Sequence, residues 1–281
     1  MLRFGWIKRG FLPAAWFLLV LAFVFLMLPS CRVEASEAAR WPAEPSKSVK
    51  KDGSLCVDLS NASQGYFLAS ISKASKTRFK LRVEKGKETL TYDLNGDCRY
   101  EVFPFQLGDG KYEISLYKNV SGKKYSSAGK ITVKVELDEE QVCFYYPNQY
   151  VCYTPETEPV GMADKLCDGK TEAESYEEVC GFIAKGFVYD YIKAATIKAG
   201  MLPDIDGCYL KRMGVCQDLS AVMCCMLRSQ GIPARLMIGY ADKNYHAWVE
   251  ATFGGKDYFF DPTVAVNGIG KVAEYTVERW Y

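Results

Sequence analysis

The sequence has a single histidine, His246, and no pair of cysteines in a Cys-x-x-Cys arrangement. Structural zinc sites draw on several cysteine and histidine ligands, commonly with that spacing. The segment "DLNGDC" at 93–98 begins like a calcium loop, but Pro104 stands where the loop needs its closing glutamate. We therefore interpret this segment as a turn and predict no metal site.

The chain also lacks a charge excess of either sign, with 35 lysines and arginines against 34 aspartates and glutamates in 281 residues. A nucleic-acid-binding domain normally has a basic excess or a basic face, so we expect no nucleic-acid partner. Apolar residues make up 49% of the chain and aromatic residues 14%. This composition is typical of packed globular domains rather than of disordered chains.

Charge is missing altogether over Phe11–Leu28, which follows a start with three basic residues. This pattern is typical of an export signal or an uncleaved membrane anchor, which we assign to residues 1–31. Residues 28–31, "LPSC", resemble a bacterial lipobox that would make Cys31 the lipidated N-terminus. Cleavage after Ala35 and an uncleaved anchor are the alternatives. All three predict an extracytoplasmic protein, membrane-attached or secreted.

Residues 32–53 have no apolar period and are rich in alanine, serine, glutamate, lysine and proline, which predicts a flexible linker. Residues 54–137 alternate apolar and polar side chains repeatedly, as in "ITVKVEL" at 131–137. About seven short strands with no helical stretch are typical of an immunoglobulin-like β-sandwich. We expect this domain to act as a spacer or a binding module.

The pattern changes at about Asp138, and residues 138–281 are predicted to form an α+β domain. Helical spacing extends over 172–195, followed by a loop that contains Pro203 and Gly207. A buried helix begins at Cys216 and is expected to end at Gly231. An antiparallel meander is predicted from the segments 235–240, 245–252 and 257–263.

Cys216 is the cysteine with a chemical advantage, because it lies in the first turn of its predicted helix. The unpaired N–H groups and the dipole at a helix start favour a thiolate, the nucleophilic form of cysteine. Cys224 and Cys225 lie further along the same helix, where small apolar side chains suit a core. Asp218 stabilises the helix dipole but opposes a thiolate at Cys216.

His246 and Asp261 are brought together by the predicted hairpin. A lone histidine is more often structural than catalytic, but a two-residue turn at Gly254–Gly255 puts Asp261 opposite Trp248. His246 is then on the same face, diagonal to Asp261 and within side-chain reach. A three-residue loop would separate the two. Cysteine, histidine and carboxylate in this arrangement are a nucleophile, a base and an orienting group.

Four sequence blocks carry a family resemblance: a Gly-x-Cys helix start, a Gly-Ile-Pro-Ala-Arg turn, a His-Ala-Trp strand and an Asp-Pro-Thr strand end. In order and spacing they resemble the transglutaminase-like superfamily, with a papain-like catalytic core over about Gln141 to Tyr281. The chain looks like an exported bacterial member. The resemblance implies that Cys216 is the nucleophile, His246 the general base and Asp261 the group that orients the imidazole.

The chemistry expected of these groups is attack of the Cys216 thiolate on an amide, followed by resolution of a thioester. Water as acceptor gives a peptidase or amidase, and an amine gives protein cross-linking; the sequence leaves both open. The expected oxyanion donors are the Cys216 N–H and Tyr189 or Tyr191. We expect no cofactor, and as partner a protein or peptide substrate, such as one at the cell wall or cell surface.

Two rival hypotheses remain: a catalytically silent scaffold whose β-sandwich binds a surface, and an adhesin that cross-links itself to its target. Arg235 and Trp248 also belong to the sequence blocks, but a buried pair and a site wall explain them structurally. Eleven cysteines in an exported chain suggest disulfides. Setting aside Cys31 and Cys216 leaves an odd number, and the sequence does not determine their pairing.

Overall fold

The structure is a computed structural model that describes residues 39–198, 200–268 and 274–281. The hypotheses on lipidation of Cys31 and on cleavage after Ala35 lie outside the described residues. In the ranges that the structure describes, no helix has both the length and the hydropathy needed to cross a membrane.

Eight strands in the first half of the chain form two antiparallel four-stranded sheets. One sheet has the order β1-β2-β3-β6 and the other the order β5-β4-β7-β8. The bounds are β1 (Val49–Asp52), β2 (Leu55–Asp58), β3 (Tyr66–Ile71), β4 (Phe79–Lys85), β5 (Glu88–Leu94), β6 (Glu101–Pro104), β7 (Gly110–Ser121) and β8 (Lys124–Val135). The seven strands β2 to β8 confirm the prediction of about seven strands over 54–137.

The apolar side chains of these two sheets share one core. In β4, Phe79, Leu81 and Val83 are buried and alternate with partly exposed polar residues. Tyr92 of β5 packs edge-on against Phe103 of β6, with ring centroids 5.2 Å apart, and so joins the two sheets. The alternation of apolar and polar residues in the sequence therefore corresponds to strands that bury one face of their sheet.

The predicted flexible linker is wrong for Val49–Asp52, which forms β1 and pairs with β2. Three of its four side chains are exposed, so this edge strand leaves no apolar alternation in the sequence. Main-chain hydrogen bonds to β2 hold it instead. Upstream, the Trp41 ring packs edge-on against Tyr153 at 5.6 Å, an anchoring contact that the polar composition concealed.

The second half of the chain combines six helices with six strands in the described residues, and a short 3₁₀ helix, Val142–Tyr145, precedes them. The helices are α1 (Glu158–Cys167), α2 (Glu172–Gly186), α3 (Tyr191–Thr196), α4 (Ile205–Lys211), α5 (Cys216–Arg228) and α6 (Pro262–Asn267). The strands are β9 (Val188–Tyr189), β10 (Met213–Gly214), β11 (Ala234–Ala241), β12 (Asn244–Phe253), β13 (Lys256–Phe260) and β14 (Tyr275–Trp280).

Helix α5 is the centre of this half. Its residues from Asp218 to Arg228 are all buried, and it packs against β11 and β12 as well as the neighbouring helices. The chain leaves the helix through Gly231, whose φ of 72° is in the left-handed region, as predicted. The sheet beside the helix has the order β13-β12-β11-β14, which confirms a mixed α and β architecture.

Three local predictions for this half are wrong. The helix expected over 172–195 is interrupted after Gly186, because β9 pairs in parallel with β10 from much later in the sequence. The loop expected around Gly207 contains α4, which Asp204 caps. The strand expected over 257–263 ends at Phe260, because Asp261 caps α6. A further strand, β14, lies beside β11. Each of these features depends on strand pairing or helix capping, which cannot be predicted from the local spacing of apolar residues.

Ten of the eleven cysteines lie in the described residues, and all ten are free thiols. Burial raises the pKa of a group of these thiols to about 12: Cys143, Cys180, Cys208 and Cys224. Burial also raises the pKa of Cys225, well above its usual value. Such thiols stay protonated near neutral pH and are poor nucleophiles.

Candidate active site

Cys216 is the first residue of α5, directly after Val215, which is extended (φ −89°, ψ 175°) and caps the helix. The first N–H groups of a helix have no intrahelical partner, and with the helix dipole they favour negative charge at this end. The structure therefore places the Cys216 thiol at a helix start, as the sequence predicted.

Asp218 has a fully buried carboxylate at the same end of α5. It accepts hydrogen bonds from the main-chain N–H groups of Val215 and Asp204, both at 3.0 Å, and Lys193 Nζ donates to it at 2.7 Å. These bonds tie α3 and the cap of α4 to the start of α5. Because Lys193 pairs with this carboxylate, it offsets the repulsion that Asp218 was predicted to exert on a thiolate at Cys216.

Replacing Lys193 with methionine is expected to lower the free energy of unfolding by about 3 kcal/mol, because the buried Asp218 carboxylate loses its cation. Lys198→Met, at an exposed lysine just after α3, is the matched control. We expect it to change stability by less than about 0.5 kcal/mol. Urea unfolding measures the difference, and equal stabilities would show that the ion pair does not hold this helix start.

His246 lies on β12 opposite Gly239 of β11, and its side chain is 12% exposed. Its Nε2 lies 2.8 Å from Oδ2 of Asp261. The hairpin has the predicted register, with Phe253 paired with Lys256 across a two-residue turn. Gly254 and Gly255 in that turn have φ of 56° and 70°, which glycine adopts without strain.

Asp261 is held from several directions at the junction of β13 and α6. Its Oδ1 accepts the N–H groups of Thr263 at 2.9 Å and Val264 at 3.1 Å, so the carboxylate caps the helix. Its Oδ2, besides contacting His246, accepts the hydroxyl of Tyr275 at 2.7 Å. A carboxylate with this many donors stays ionised in a site that is largely buried.

The electrostatics of His246 and Asp261 are coupled. Burial by itself lowers the pKa of His246, but hydrogen bonds to Asp261 and Cys216, together with their charges, raise it to about 9. Burial by itself raises the pKa of Asp261, and the bonds and charge of His246, with the Tyr275 hydroxyl, bring it below its usual value. The arrangement therefore favours an imidazolium beside a carboxylate.

The structure brings Cys216, His246 and Asp261 together. The thiol of Cys216 lies close enough to the imidazole to raise the pKa of His246. Because Asp261 occupies Nε2 of the ring, Nδ1 is the nitrogen that remains for the thiol. Such an arrangement can pass a proton between a thiol and a substrate atom while the carboxylate fixes the ring.

Trp248 and Arg235 lie on the same sheet as His246. Trp248 forms a wall beside the imidazole, as expected, whereas the expected buried pair of Arg235 is a partly exposed ion-pair network. The Trp248 ring is buried and lies nearly parallel to His246, with centroids 6.3 Å apart. Arg235 pairs with Glu250 at 2.7 Å and Asp257 at 3.2 Å, across β11, β12 and β13. Both side chains therefore hold the sheet that presents His246.

The two tyrosines proposed as oxyanion donors differ in position. Tyr189 is partly buried and packs on the same core as Cys216. Burial, with a smaller contribution from the charge of Cys216, raises the pKa of its hydroxyl to about 12. Tyr191 is exposed and donates its hydroxyl to Asn267 at 3.0 Å. The geometry favours Tyr189 of the two.

Sequence reasoning missed Tyr275 and Lys193. Both reach the site from segments outside the sequence blocks, one from β14 and one from α3. Their partners are 14 and 25 residues away along the chain, and no local spacing signals either contact. The sequence contains one indirect signal, for Lys193 only. Asp218 lies in a predicted core helix, and a buried carboxylate requires a hydrogen-bonding or charged partner.

Residues 161–262 match a family model described as the transglutaminase-like superfamily. This range contains Cys216, His246 and Asp261. No curated protein sequence matches the chain.

Solved structures with similarity to the chain include a protein from Cytophaga hutchinsonii described as a candidate cysteine protease. It is 20% identical, with 74% of this chain and 75% of that chain covered and a TM-score of 0.39. The periplasmic domain of TgpA from Pseudomonas aeruginosa is 15% identical, with 81% and 78% covered and a TM-score of 0.36. Red sea bream transglutaminase is 14% identical, with 75% and 48% covered and a TM-score of 0.28.

The family match confirms, over its own range, the resemblance predicted from the four sequence blocks. Residues 161–262 of this chain are a transglutaminase-like domain.

Proposed function

We propose that the chain is a thiol enzyme that acts on amide bonds through Cys216, His246 and Asp261. The observation that carries the proposal is the His246 ring, bound through Nε2 to Asp261 at 2.8 Å and flanked by the Cys216 thiol. Nucleophile, base and orienting group with these contacts are the components of covalent acyl transfer.

In the proposed reaction the Cys216 sulfur attacks the carbonyl carbon of an amide. The C–N bond breaks, His246 gives its proton to the leaving nitrogen, and the acyl group remains as a thioester. Water or an amine then attacks the thioester carbonyl and loses a proton to His246. The C–S bond breaks, and the thiolate and imidazolium are restored.

Asp261 holds the ring through Nε2, so that Nδ1 stays directed at the thiol throughout these steps. The developing oxyanion is proposed to be bound by the main-chain N–H of Cys216 at the helix start. The hydroxyl of Tyr189 is the proposed second donor. Preorganised donors of this kind lower the barrier because they need no reorientation during the reaction.

The proposed substrate is a protein or peptide with apolar side chains near the reacting amide. Exposed large apolar residues are concentrated just before Cys216 in the chain: Val188, Tyr191, Ile192, Met201, Leu202, Leu210 and Met213. One point of this segment contacts the start of α5: Gln217, the residue after Cys216, donates its side-chain amide to the Met201 carbonyl at 3.0 Å. Exposed apolar side chains that form a contiguous patch mark interaction surfaces, and we propose that these residues contribute to the substrate-binding surface.

The rest of the proposal concerns location and the first domain. An extracytoplasmic location is supported by the uncharged run Phe11–Leu28 behind a basic start. Lipidation of Cys31, cleavage after Ala35 and an uncleaved anchor predict different masses for the mature protein. An immunoglobulin-like domain over 54–137 is supported by strand order, with β2-β3-β6 facing β5-β4-β7-β8.

The experiment that tests the proposal incubates the full chain with a peptide library, with and without a fluorescent primary amine. Hydrolysis appears as new peptide ends and cross-linking as amine incorporation, so one experiment also separates the two acceptors. We expect products from peptides with large apolar side chains beside the reacting amide. A chain that produces neither, although correctly folded, would favour the silent scaffold with a surface-binding β-sandwich.

A further inference from the structure

Tyr275 makes a contact at the candidate site that no sequence block predicts. It is the first residue of β14 and pairs with Ala241 of β11. Its hydroxyl donates to Oδ2 of Asp261 at 2.7 Å, and the same oxygen lies 2.8 Å from Nε2 of His246. One carboxylate oxygen therefore binds both side chains.

The Tyr275 ring is fixed by other aromatic side chains. It packs edge-on against Phe259, with centroids 4.8 Å apart, and against Trp248 at 5.0 Å. It also lies 6.4 Å from the His246 ring. Aromatic pairs in this geometry stabilise each other beyond the area they bury, so the ring has little freedom to move the hydroxyl away from Asp261.

The main chain sets the position of β14 relative to His246. Gly239 of β11 is opposite His246 on one side and Val277 of β14 on the other. A β-carbon at Gly239 would clash with the Thr276 carbonyl oxygen, so β14 lies closer to β11 here than any other residue would permit. This close approach brings Tyr275 to the carboxylate.

We propose that Tyr275 is a positioning residue, which holds the Asp261 carboxylate in the orientation that directs His246 at Cys216. The inference rests on the proposed function, because the orientation matters for acyl transfer through these three groups. Main-chain N–H groups hold Oδ1 of Asp261, whereas Tyr275 holds Oδ2, the oxygen that contacts the imidazole. Tyr275 is not assigned a contact with the substrate or the reacting atoms.

The charged groups around Tyr275 define what its loss should change. Burial raises the pKa of the Tyr275 hydroxyl, and the carboxylate of Asp261 and the charge of Asp242 raise it further. Asp242 lies in the turn between β11 and β12. His246 lies on the other side of the Asp261 carboxylate. The Tyr275 hydroxyl contributes to the lowered pKa of Asp261. Without it, Asp261 takes up a proton at higher pH.

The test is Tyr275→Phe in the full chain, with Tyr240→Phe, at a partly exposed tyrosine of β11, as the matched control. We expect kcat of Tyr275→Phe to fall by about 10-fold with KM unchanged, the size of effect typical of groups that orient a catalytic ligand. The acid limb of its pH profile should move to higher pH. The imidazole signals of His246 should shift in NMR spectra, where one histidine makes the assignment unambiguous.

Phe259→Leu separates positioning from packing. It removes one aromatic contact of the Tyr275 ring, while Trp248 still holds the ring and the hydroxyl keeps its contact with Asp261. We expect it to retain the wild-type acid limb. The inference would be overturned if Tyr275→Phe kept the wild-type kcat, the wild-type acid limb and the wild-type His246 signals. It would also be overturned if Phe259→Leu shifted the acid limb as much as Tyr275→Phe does. The NMR measurement needs no substrate. If the wild-type protein has no turnover but Tyr275→Phe still shifts the His246 signals, the proposed function is refuted. The same result would show that Tyr275 orients Asp261 and His246.

Discussion

Cys216→Ala is expected to abolish the turnover of peptide substrates while leaving the fold intact. Removal of the nucleophile from a site of this kind reduces kcat by on the order of 10⁴-fold or more, because no other group can form the covalent intermediate. Cys216 is a half-buried residue at the surface end of α5, so the loss of its sulfur leaves little cavity. The measurement is the rate of product formation from the best library peptide, alongside the melting temperature.

Cys180→Ala is the matched control, since Cys180 is also half-buried and lies on a helix of the same domain. We expect it to keep the wild-type rate. Product formation by Cys216→Ala would contradict a thiol mechanism. So would a wild-type protein that shows no turnover and binds surfaces as well as Cys216→Ala does. In either case the scaffold hypothesis would account for the chain better.

Asp261→Asn is expected to lower the pKa of His246 from its raised value of about 9. Burial of the ring lowers this pKa. The hydrogen bond to Asp261 is the largest influence that raises it, followed by the hydrogen bond to Cys216 and the charge of Asp261. The amide supplies neither the charge nor a fixed acceptor. We expect kcat to fall by about 10³–10⁴-fold, as when the orienting carboxylate of a comparable triad is replaced by an amide.

The same pKa determines how stability depends on pH. The folded-state pKa of His246 is raised, so its contribution to stability is complete below about pH 6.5 and is lost as pH rises through about 9. Asp261 has a lowered pKa, so its contribution is present above the ordinary carboxyl pKa and is lost as pH falls. In Asp261→Asn we expect the loss of stability on the alkaline side to become smaller.

An NMR titration of the single histidine measures this pKa directly, and urea unfolding at several pH values measures the stability. Asp257→Asn, on β13 and bound to Arg235 rather than His246, is the matched control. We expect it to leave the His246 titration unchanged. A wild-type His246 that titrates near 6.5, or equal titrations in wild type and Asp261→Asn, would show that the pair is not coupled as the geometry indicates.

The sequence allowed prediction of the part of the site that local rules determine. A two-residue Gly254–Gly255 turn fixes hairpin register, and register fixes which side chains share a face, so the approach of His246 to Asp261 followed from spacing. The position of Cys216 in the first turn of α5 and the left-handed Gly231 after the helix were also predicted. Both predictions depend on contacts between neighbouring segments, for which the sequence carries strong signals.

What could not be predicted depends on contacts between distant segments. Lys193 reaches Asp218 because α3 folds back onto the start of α5, and Tyr275 reaches Asp261 because β14 pairs with β11. The exposed side chains of β1 give no apolar pattern, so a strand held by main-chain bonds was interpreted as a linker. In each case tertiary pairing, rather than local propensity, determines the structure.

The measurement that tests the central claim most directly is competitive alkylation of the wild-type chain at about pH 6, resolved by peptide mass spectrometry. At this pH an ordinary thiol is almost entirely protonated and reacts slowly, whereas a thiolate paired with an imidazolium reacts fast. We predict that Cys216 is modified well before the other cysteines, and that His246→Ala removes this advantage. Modification of Cys216 at the rate of the other thiols, or an advantage that persists in His246→Ala, would contradict the assignment of Cys216 as the nucleophile.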